Sequence, residues 1–433
     1  MASLPNDILL TISSMAYGGN GVARLDGKVY FVADAIEGDV VKARVTEDKE
    51  RYANAEVSEF VSYSPFREKP RCPFITNCGG CQWMGVPYTQ QLAWKRDFIV
   101  SSLKRIGKIP EHLSIDVNPS PDIYNYRNRV MIRVHISDRS VLTCGYFKRG
   151  TRELVPINRC DIANETINKL IGHITTVDLN GLKNIKFRME IQELPAESGK
   201  LVVTITPADG DKKATKAFTE NLCTLDYISW SGMSFDLKDA PTIPFDQQFS
   251  RTFLTLPGQF QQVNVAHNKN LRTFISDIVA EYRPQSILDV FCGSGNLSIG
   301  VAEKGRLIEG IEANSVAIDC AKKNVAENNI SDATYIAGDA EKHLLKLCRA
   351  NAKFDLVILD PPRQGFHGGM PSLMALAPKQ IVYVSCDPTT LARDIGFLCR
   401  NQDYRIKSIT GFDFFPNTYH VETVVVLERT QKV

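Results

Sequence analysis

The stretch ILDVFCGSGNLSIGVAEKG, residues 287–305, decides the fold of the C-terminal part of this chain. It predicts a short apolar strand, a tight turn containing Gly293 and Gly295, and then a helix. Glycines in such a turn let a ligand come close to the backbone. A dinucleotide fingerprint would have a third glycine at position 298, where Ser298 stands, so a pyrophosphate site is disfavoured. The turn therefore predicts a different nucleoside-binding loop at the end of a strand.

Short apolar runs around that turn have the spacing of a parallel sheet that alternates with helices. These runs are SILDVF, LIEGIEA, ATYIAGD, FDLVILD and IVYVSC. Residues 266–433 are therefore predicted to form a doubly wound, Rossmann-like α/β domain. Its turn, in which Asp289 precedes a Gly-x-Gly, resembles the cofactor loop of class I S-adenosylmethionine-dependent methyltransferases.

Acidic residues close the next two strands of this predicted sheet. Glu312 follows Asp289 by 23 residues, about where a carboxylate accepts hydrogen bonds from ribose hydroxyls in such folds. Asp339 ends the third strand, where a carboxylate can accept from an adenine amine. Each acid taken alone is equally consistent with a helix N-cap or a solvated loop residue.

The fourth and fifth strands carry the candidate reaction chemistry. The motif LDPPR places Arg363 where enzymes that methylate exocyclic amines have an aromatic residue, so that chemistry is disfavoured. Cys386 ends the fifth strand, just before a helix that begins near Pro388. The N-terminus of a helix lowers a thiol pKa, whereas the adjacent Asp387 opposes that effect. The alternative for Cys386 is an ordinary buried thiol at a strand end.

A thiol and a base in one pocket fit methylation of uracil at C5. A thiolate that adds to C6 turns C5 into a carbon nucleophile, and a base must later remove the C5 proton. Glu422, in YHVETVVVLER, is the candidate base. Its alternative is a surface acid on an edge strand.

The first 62 residues predict a small barrel of the OB type, because several short alternating strands are separated by turns. The Asp26-Gly27 pair between two such strands is a hairpin signal. Residues 63–265 predict a mixed α+β domain. Within it, residues 101–161 hold eleven Lys and Arg against six Asp and Glu, which suits either an RNA backbone or a solvated face. Arg127, Arg129 and Arg133 are the predicted RNA contacts.

A cysteine cluster, PRCPFITNCGGCQW, gives Cys72, Cys78 and Cys81 a C-x5-C-x2-C spacing. Cys160 is the best candidate for a fourth thiolate. Four thiolates fit structural zinc or an iron–sulfur cluster. Three clustered cysteines and one distant cysteine slightly favour the iron–sulfur cluster.

Six motifs together resemble the bacterial RNA uracil-5-methyltransferase family, especially the 23S ribosomal RNA enzymes with a TRAM domain and a [4Fe-4S] cluster. They are CPFITNCGGCQ, FQQVN, DVFCGSGNLS, LDPPR, VYVSCDPTTLARD and HVET. The resemblance spans nearly the whole chain and implies an N-terminal TRAM domain. Asp387 departs from the family, since many relatives have asparagine after the nucleophile.

The resemblance also assigns roles to individual residues. It implies Cys386 as the nucleophile and Glu422 as the base. It implies that the cluster is bound by Cys72, Cys78, Cys81 and Cys160. It implies S-adenosylmethionine contacts from six residues: Gln262, Phe291, Asn296, Glu312, Asp339 and Asp360. The expected substrate is 23S ribosomal RNA, and the alternatives are the T-loop uridine of transfer RNA or a non-catalytic role in RNA binding or folding.

Composition limits the remaining classes. The 433 residues carry a formal net charge of +2, so no global charge indicates a partner. No apolar run reaches the length of a membrane span, and no secretory signal is visible in MASLPNDILL. Eleven unevenly spread cysteines do not form a secreted disulfide pattern. We therefore expect a cytoplasmic enzyme without membrane contact, and a monomer.

Overall fold

A computed structural model of the chain describes residues 7–109, 114–176, 182–197, 199–209, 212–234, 240–400 and 403–430, with residues 179 and 237. Across these ranges no helix has the length and apolar character needed to cross a membrane.

The N-terminal region forms a six-stranded sheet. Its strands are β1 (Ile8–Thr11), β2 (Ser14–Met15), β3 (Gly21–Leu25), β4 (Lys28–Ala33), β5 (Val40–Asp48) and β6 (Tyr52–Ser62), in the order β1-β5-β6-β4-β3-β2. Leu25 pairs with Lys28, and Asp26 and Gly27 both have positive φ, which confirms the predicted two-residue hairpin. Closure of this sheet into an OB-type barrel stays a prediction.

A linking segment follows, with helix α1 (Tyr88–Ser102), a π-helical turn (Leu103–Gly107) and strand β7 (Ile115–Asn118). The next region is a second sheet of order β10-β9-β8-β11-β12-β13. Its strands are β8 (Arg129–Ile136), β9 (Leu142–Phe147), β10 (Leu154–Pro156), β11 (Ile185–Glu193), β12 (Leu201–Asp209) and β13 (Ile228–Met233).

Two helices pack on this second sheet, α2 (Glu165–Ile174) and α3 (Lys212–Leu222). Their apolar faces share one core with the strands, and Phe218 of α3 lies against Phe187 of β11. The mixture of helices and strands predicted for residues 63–265 is confirmed. A hairpin of β14 (Ile243–Gln248) and β15 (Arg251–Thr255) leads into the last region.

The C-terminal region is an eight-stranded sheet with helices on both faces. Its further elements are α4 (Val265–Tyr282), β16 (Ser286–Val290), β17 (Leu307–Glu312), α5 (Ser315–Glu327), β18 (Ala333–Ala337), α6 (Ala340–Arg349), β19 (Leu356–Leu359), α7 (Met370–Leu376), β20 (Gln380–Ser385), α8 (Pro388–Cys399), β21 (Tyr404–Phe412) and β22 (Glu422–Arg429). The strand order is β18-β17-β16-β19-β20-β22-β21-β7. Strands β16 to β20 are mutually parallel, as their apolar runs predict.

Strand β22 runs antiparallel between β20 and β21. Its first residues therefore lie at the same edge of the sheet as the last residues of the parallel strands. Strand β7, although it precedes the second sheet in the chain, pairs in parallel with β21. Residues 63–265 thus contribute an edge strand to the C-terminal sheet, and the three domain boundaries stay an interpretation.

One predicted element is absent. The α-helix expected after the glycine turn is not formed, and turns lead instead into a single 3-10 turn, Ile299–Val301. Gly295 has a φ of 85°, and a Cβ there would lie 2.6 Å from the Ile299 side chain. The Ile299 N–H donates to the Gly295 carbonyl at 3.0 Å, a single helical turn that is not continued.

Candidate active site

A cavity of about 570 Å3 opens at the carboxyl edge of the C-terminal sheet. It lies beside β16, where the strand order reverses, which is the usual ligand site of open α/β sheets. Most of the predicted site residues line it together: Gln262, Phe291, Asn296, Glu312, Asp360, Cys386 and Glu422.

Asp339 is the exception among the predicted cofactor contacts. It does not belong to the cavity lining, and its carboxylate accepts a hydrogen bond from the backbone N–H of Lys342 at the start of α6. The structure therefore gives Asp339 the helix-capping arrangement that the sequence left open. Its contact with the cofactor stays a prediction.

The glycine turn is held by the neighbouring strand. The backbone N–H groups of Phe291 and Cys292 both donate to the Ile311 carbonyl, at 2.9 and 3.1 Å. Phe291 has a φ of 67°, an unusual conformation for a bulky residue. That conformation sets its ring at an edge against Phe366, with 4.9 Å between the ring centroids. The turn is thus shaped by contacts from both sides.

Asn296 is oriented by a buried polar network. Its side-chain oxygen accepts hydrogen bonds from Asn268 and from Arg272 Nε, both at 3.0 Å. Arg272 is itself paired with the buried Asp246 at 2.8 Å. Hydrogen bonds of this kind, made to a residue that lines a ligand cavity, fix the direction of its side-chain amide.

Cys386 lies between the end of β20 and the start of α8. Asp387 is the N-cap of α8 and accepts from the backbone N–H groups of Thr389 and Thr390. Burial, followed by the charge of Glu422, raises the pKa of the Cys386 thiol to about 12. The pKa of this thiol is therefore raised and not lowered as the position before a helix predicts.

The pKa values of two carboxyl groups in the pocket, Glu422 and Asp360, are also raised. Burial and then the charge of Asp360 raise the pKa of Glu422 to about 8. Burial and then Asp289 raise the pKa of Asp360 to about 7. Arg363 lowers the pKa of both Cys386 and Glu422. The pocket thus brings the Cys386 thiol together with two carboxyl groups of raised pKa, Asp360 and Glu422, and with the cation Arg363, a grouping typical of catalytic sites.

Sequence reasoning missed several residues of this cavity. Arg363 was considered only as a departure from another family's motif, although it lines the pocket with Phe415 and His420. His420 stands in the HVET motif, which was a usable signal. Tyr17 donates to the Cys386 carbonyl at 2.9 Å, and no pattern in the sequence links residues so far apart in the chain.

The four predicted cluster cysteines, Cys72, Cys78, Cys81 and Cys160, line one cavity of about 200 Å3. The Gly80 N–H donates to the Cys78 sulfur, as the double glycine suggests. Burial raises the pKa of Cys72, Cys78 and Cys81. No group of three or more His, Cys, Asp or Glu side chains in the described ranges is arranged to hold one metal ion. The iron–sulfur cluster therefore stays a prediction.

The three arginines predicted to contact RNA make contacts within the protein. Arg127 lines the cysteine cavity, and its Nε is buried. Arg129 is paired with Glu190 at 2.8 Å and donates to the Gln259 carbonyl. Arg133 lies over the Phe147 ring, 4.9 Å from its centroid. The contribution of these three arginines to RNA affinity stays a prediction.

Comparisons with known proteins bear on this site. The family described as tRNA (Uracil-5-)-methyltransferase matches residues 246–430, and the TRAM domain matches residues 7–58. An uncharacterized RNA methyltransferase of Aquifex aeolicus is 32% identical over 97% of this chain and 98% of its own length. The chain belongs to the RNA uracil-5-methyltransferase family.

Other relatives of this RNA uracil-5-methyltransferase have more specific names. The 23S rRNA (uracil(1939)-C(5))-methyltransferase RlmD of Aeromonas hydrophila is 30% identical over 98% of this chain and 97% of its own length. The tRNA (uracil-54, C5)-methyltransferase of Pyrococcus abyssi was solved with S-adenosyl-L-homocysteine. It matches with a TM-score of 0.71 and 26% identity over 97% of this chain and 100% of that chain. The predicted family, TRAM domain, enzyme class and S-adenosylmethionine dependence are confirmed.

Proposed function

We propose that this enzyme methylates C5 of one uridine of 23S ribosomal RNA, with Cys386 as the nucleophile and Glu422 as the base. The observation that carries the proposal is the meeting of both residues in the cavity beside the glycine turn. Ser385 pairs with Thr423 across the antiparallel strands, so the residue after β20 and the first residue of β22 reach the same edge from opposite chain directions.

Each residue has a distinct task in the proposed reaction. The Cys386 thiolate forms a bond to C6 of uracil, and the electron pair of the C5–C6 double bond moves towards O4. S-adenosylmethionine, when bound, supplies an electrophilic methyl group to the resulting carbon nucleophile at C5. Glu422 then accepts the C5 proton, and the carbon–sulfur bond at C6 breaks to restore the ring and the thiolate.

Electrostatics bear on how the thiolate forms. Burial, followed by the charge of Glu422, raises the pKa of the Cys386 thiol to about 12, which favours the protonated thiol at neutral pH. Arg363 favours the thiolate because its positive charge lowers that pKa. We propose that Arg363 also faces the RNA, since its side chain is at the exposed mouth of the cavity.

The target base must leave its stack to reach this pocket, and flipped bases are the usual solution. The proposed RNA surface includes the TRAM domain and the exposed turn between β9 and β10, which carries Lys148 and Arg152. Specific RNA recognition mostly targets loops and splayed bases.

The role of the thiol can be tested with labelled cofactor. Cys386→Ala should abolish methyl transfer to unmodified 23S RNA transcripts, because it removes the thiol that is proposed to add to C6. Cys399→Ala is the matched control, since it removes a half-buried thiol from the other end of the same helix. Undiminished transfer by Cys386→Ala would rule out the proposed nucleophile.

Ribosomal RNA is favoured by the names of the RlmD relatives, whereas the Pyrococcus abyssi relative favours transfer RNA as a second candidate. Equal amounts of a 23S RNA fragment and a transfer RNA transcript, both unmodified, should be offered together. Methylation of the 23S fragment alone is expected. Methylation of the T-loop uridine alone would reassign the substrate.

We also propose that Cys72, Cys78, Cys81 and Cys160 hold a [4Fe-4S] cluster. Support comes from four thiols around one cavity and from the spacing of the first three. Anaerobically purified protein should contain iron and acid-labile sulfide, and Cys81→Ser should lose both, whereas Cys223→Ser, at an exposed thiol, should keep them. Stoichiometric zinc without sulfide would contradict the proposal.

A further inference from the structure

The TRAM domain reaches the catalytic strand through one turn. Between β2 and β3 the Ala16 N–H donates to the Asn20 carbonyl at 2.9 Å, which closes a short loop. Gly18 and Gly19 have φ values of 110° and 85°, a conformation that glycine adopts without strain. This turn projects Tyr17 away from the N-terminal sheet and towards the start of α8.

The Tyr17 hydroxyl donates a hydrogen bond to the Cys386 carbonyl, with 2.9 Å between the oxygens. Burial, with Asp387 next, raises the pKa of Tyr17, so the hydroxyl keeps its proton and remains a donor. The carbonyl lies in the peptide unit between the nucleophile and the residue that caps α8. That peptide unit is therefore held from two sides, by the cap within the helix and by Tyr17 from another domain.

The Tyr17 ring is fixed by aromatic neighbours. It packs at an edge against Phe98 of α1, at 5.9 Å between centroids, and against Tyr419, at 5.5 Å. Tyr419 in turn lies 4.1 Å from the ring of His420, which lines the reaction cavity. The TRAM domain thus contacts both the backbone of the thiol and the wall of its pocket.

We propose that Tyr17 is a positioning residue for Cys386, so that the TRAM domain contributes to the rate of the covalent step as well as to RNA binding. This inference rests on the proposed role of Cys386 as the nucleophile. Without the hydroxyl, the half-buried carbonyl of Cys386 loses its partner, and the peptide unit can rotate. Small displacements of a reacting group cost rate more than affinity.

Tyr17→Phe removes the hydroxyl and keeps the ring. Its test uses RNA that carries 5-fluorouridine at the target position, because a fluorine at C5 leaves no proton for the base and traps the Cys386 adduct. We expect adduct formation to slow about two- to tenfold, the worth of one hydrogen bond, with unchanged dissociation constants for RNA and S-adenosylmethionine. Tyr404→Phe, which removes a buried hydroxyl that donates to the Pro378 carbonyl at 2.8 Å, is the matched control and should react at the wild-type rate.

A backbone variant tests the same contact independently. A Cβ at Gly19 would lie 3.0 Å from Tyr419 Cδ1, whereas a Cβ at Gly27 meets nothing within 4 Å. The φ values are similar, 85° and 78°, so Gly19→Ala and Gly27→Ala carry comparable backbone strain. Only Gly19→Ala should reduce kcat with little change in KM for RNA.

The outcomes separate this inference from the proposed function. Absence of a Cys386 adduct in the wild-type protein would sink the proposed nucleophile itself. An adduct that forms at equal rates in the wild type and in Tyr17→Phe would overturn the positioning role alone. If Tyr17→Phe lost RNA affinity with unchanged kcat, the positioning role would also be overturned, because the TRAM domain would then only bind RNA.

Discussion

At the scale of single residues, Asp387 shows how a local role can be hidden in a sequence. Its charge next to a candidate nucleophile has no explanation from the motif, and the family resemblance leads us to expect asparagine there. In the structure its carboxylate caps α8, a task that asparagine performs equally well. The negative charge of Asp387 nevertheless affects Cys386, because Asp387 is among the groups that raise the pKa of the thiol.

Asp387→Asn should keep the cap and remove the charge. We expect unchanged stability and a lower pKa for Cys386, which faster alkylation of the Cys386 peptide by iodoacetamide, followed by mass spectrometry, would reveal. Asp387→Ala should lose the cap as well, at about 1 kcal/mol of unfolding free energy. Equal alkylation rates in Asp387→Asn and the wild type would contradict the claim that the charge of Asp387 raises the pKa of Cys386.

Glu422→Gln and Arg363→Gln should change the reactivity of Cys386 in opposite directions. Loss of the Glu422 charge lowers the thiol pKa, whereas loss of the Arg363 charge raises it. At a pH well below the thiol pKa, the thiolate fraction rises about tenfold when that pKa falls by about one. Alkylation rates at pH 9 should therefore rise in the first variant and fall in the second, and rates that change in the same direction would refute this interpretation.

Glu422→Gln should also accumulate a covalent complex with RNA. Addition to C6 and methylation of C5 need no base, but elimination does. Denaturing gels of enzyme mixed with substrate RNA and S-adenosylmethionine should show a retarded band that depends on Cys386. Normal turnover by Glu422→Gln would assign the base elsewhere.

At the scale of elements, the periodicity of the sequence predicts the parallel strands and most helices, because each buried run is short and apolar and is bounded by turn residues. The glycine turn is where this reasoning fails. The chain there makes one helical turn and a short 3-10 turn and continues neither, although the periodicity predicts a helix. The segment between β21 and β22 is equally unpredictable, since a buried ion pair from α1 holds it.

Lys95 of α1 and Asp413 form that ion pair, at 2.5 Å and with both side chains fully buried. The Lys95 ammonium also donates to the Phe415 carbonyl, next to the reaction cavity. Lys95→Met should cost about 3 to 5 kcal/mol, because it leaves a buried carboxylate unpaired. Lys379→Met, which breaks an exposed pair with Asp355, should cost less than about 1 kcal/mol.

Chemical denaturation of both variants, followed by tryptophan fluorescence, would measure these costs. If both variants lost similar amounts of unfolding free energy, the buried pair of Lys95 would contribute no more to stability than the exposed pair of Lys379. Loss of methyl transfer at temperatures where Lys95→Met remains folded would link the pair to the pocket through Phe415.

At the scale of the whole molecule, three carboxyl groups with little or limited exposure meet at one edge of a single sheet. Burial raises the pKa of Asp289 and Asp360 to about 7 and that of Glu422 to about 8. Motifs identify these residues, but neither their burial nor the approach of the TRAM turn follows from spacing in the chain. Both depend on contacts between residues hundreds of positions apart, such as Tyr17 with Cys386.

The raised carboxyl pKa values make the free energy of unfolding depend on pH. The folded protein holds protons that the unfolded chain releases near its ordinary carboxyl pKa, so stability falls as the pH rises from about 4 to about 8. Glu422→Gln removes one such group. The melting temperature of Glu422→Gln should therefore fall less than that of the wild type as the pH rises from 5.5 to 8.5. A difference between the two proteins that does not change with pH would contradict the raised pKa of Glu422.

Strand β7 has a consequence for synthesis on the ribosome. Its partner β21 is made about 290 residues later, which corresponds to roughly 15 to 60 s of translation. During that interval β7 and helix α1 have left the ribosome, but strand β21, with which β7 pairs, has not yet been made. The nascent chain must therefore keep a short apolar segment from pairing with other chains. Completion of the catalytic sheet is therefore a late event, since β7 must wait for β21.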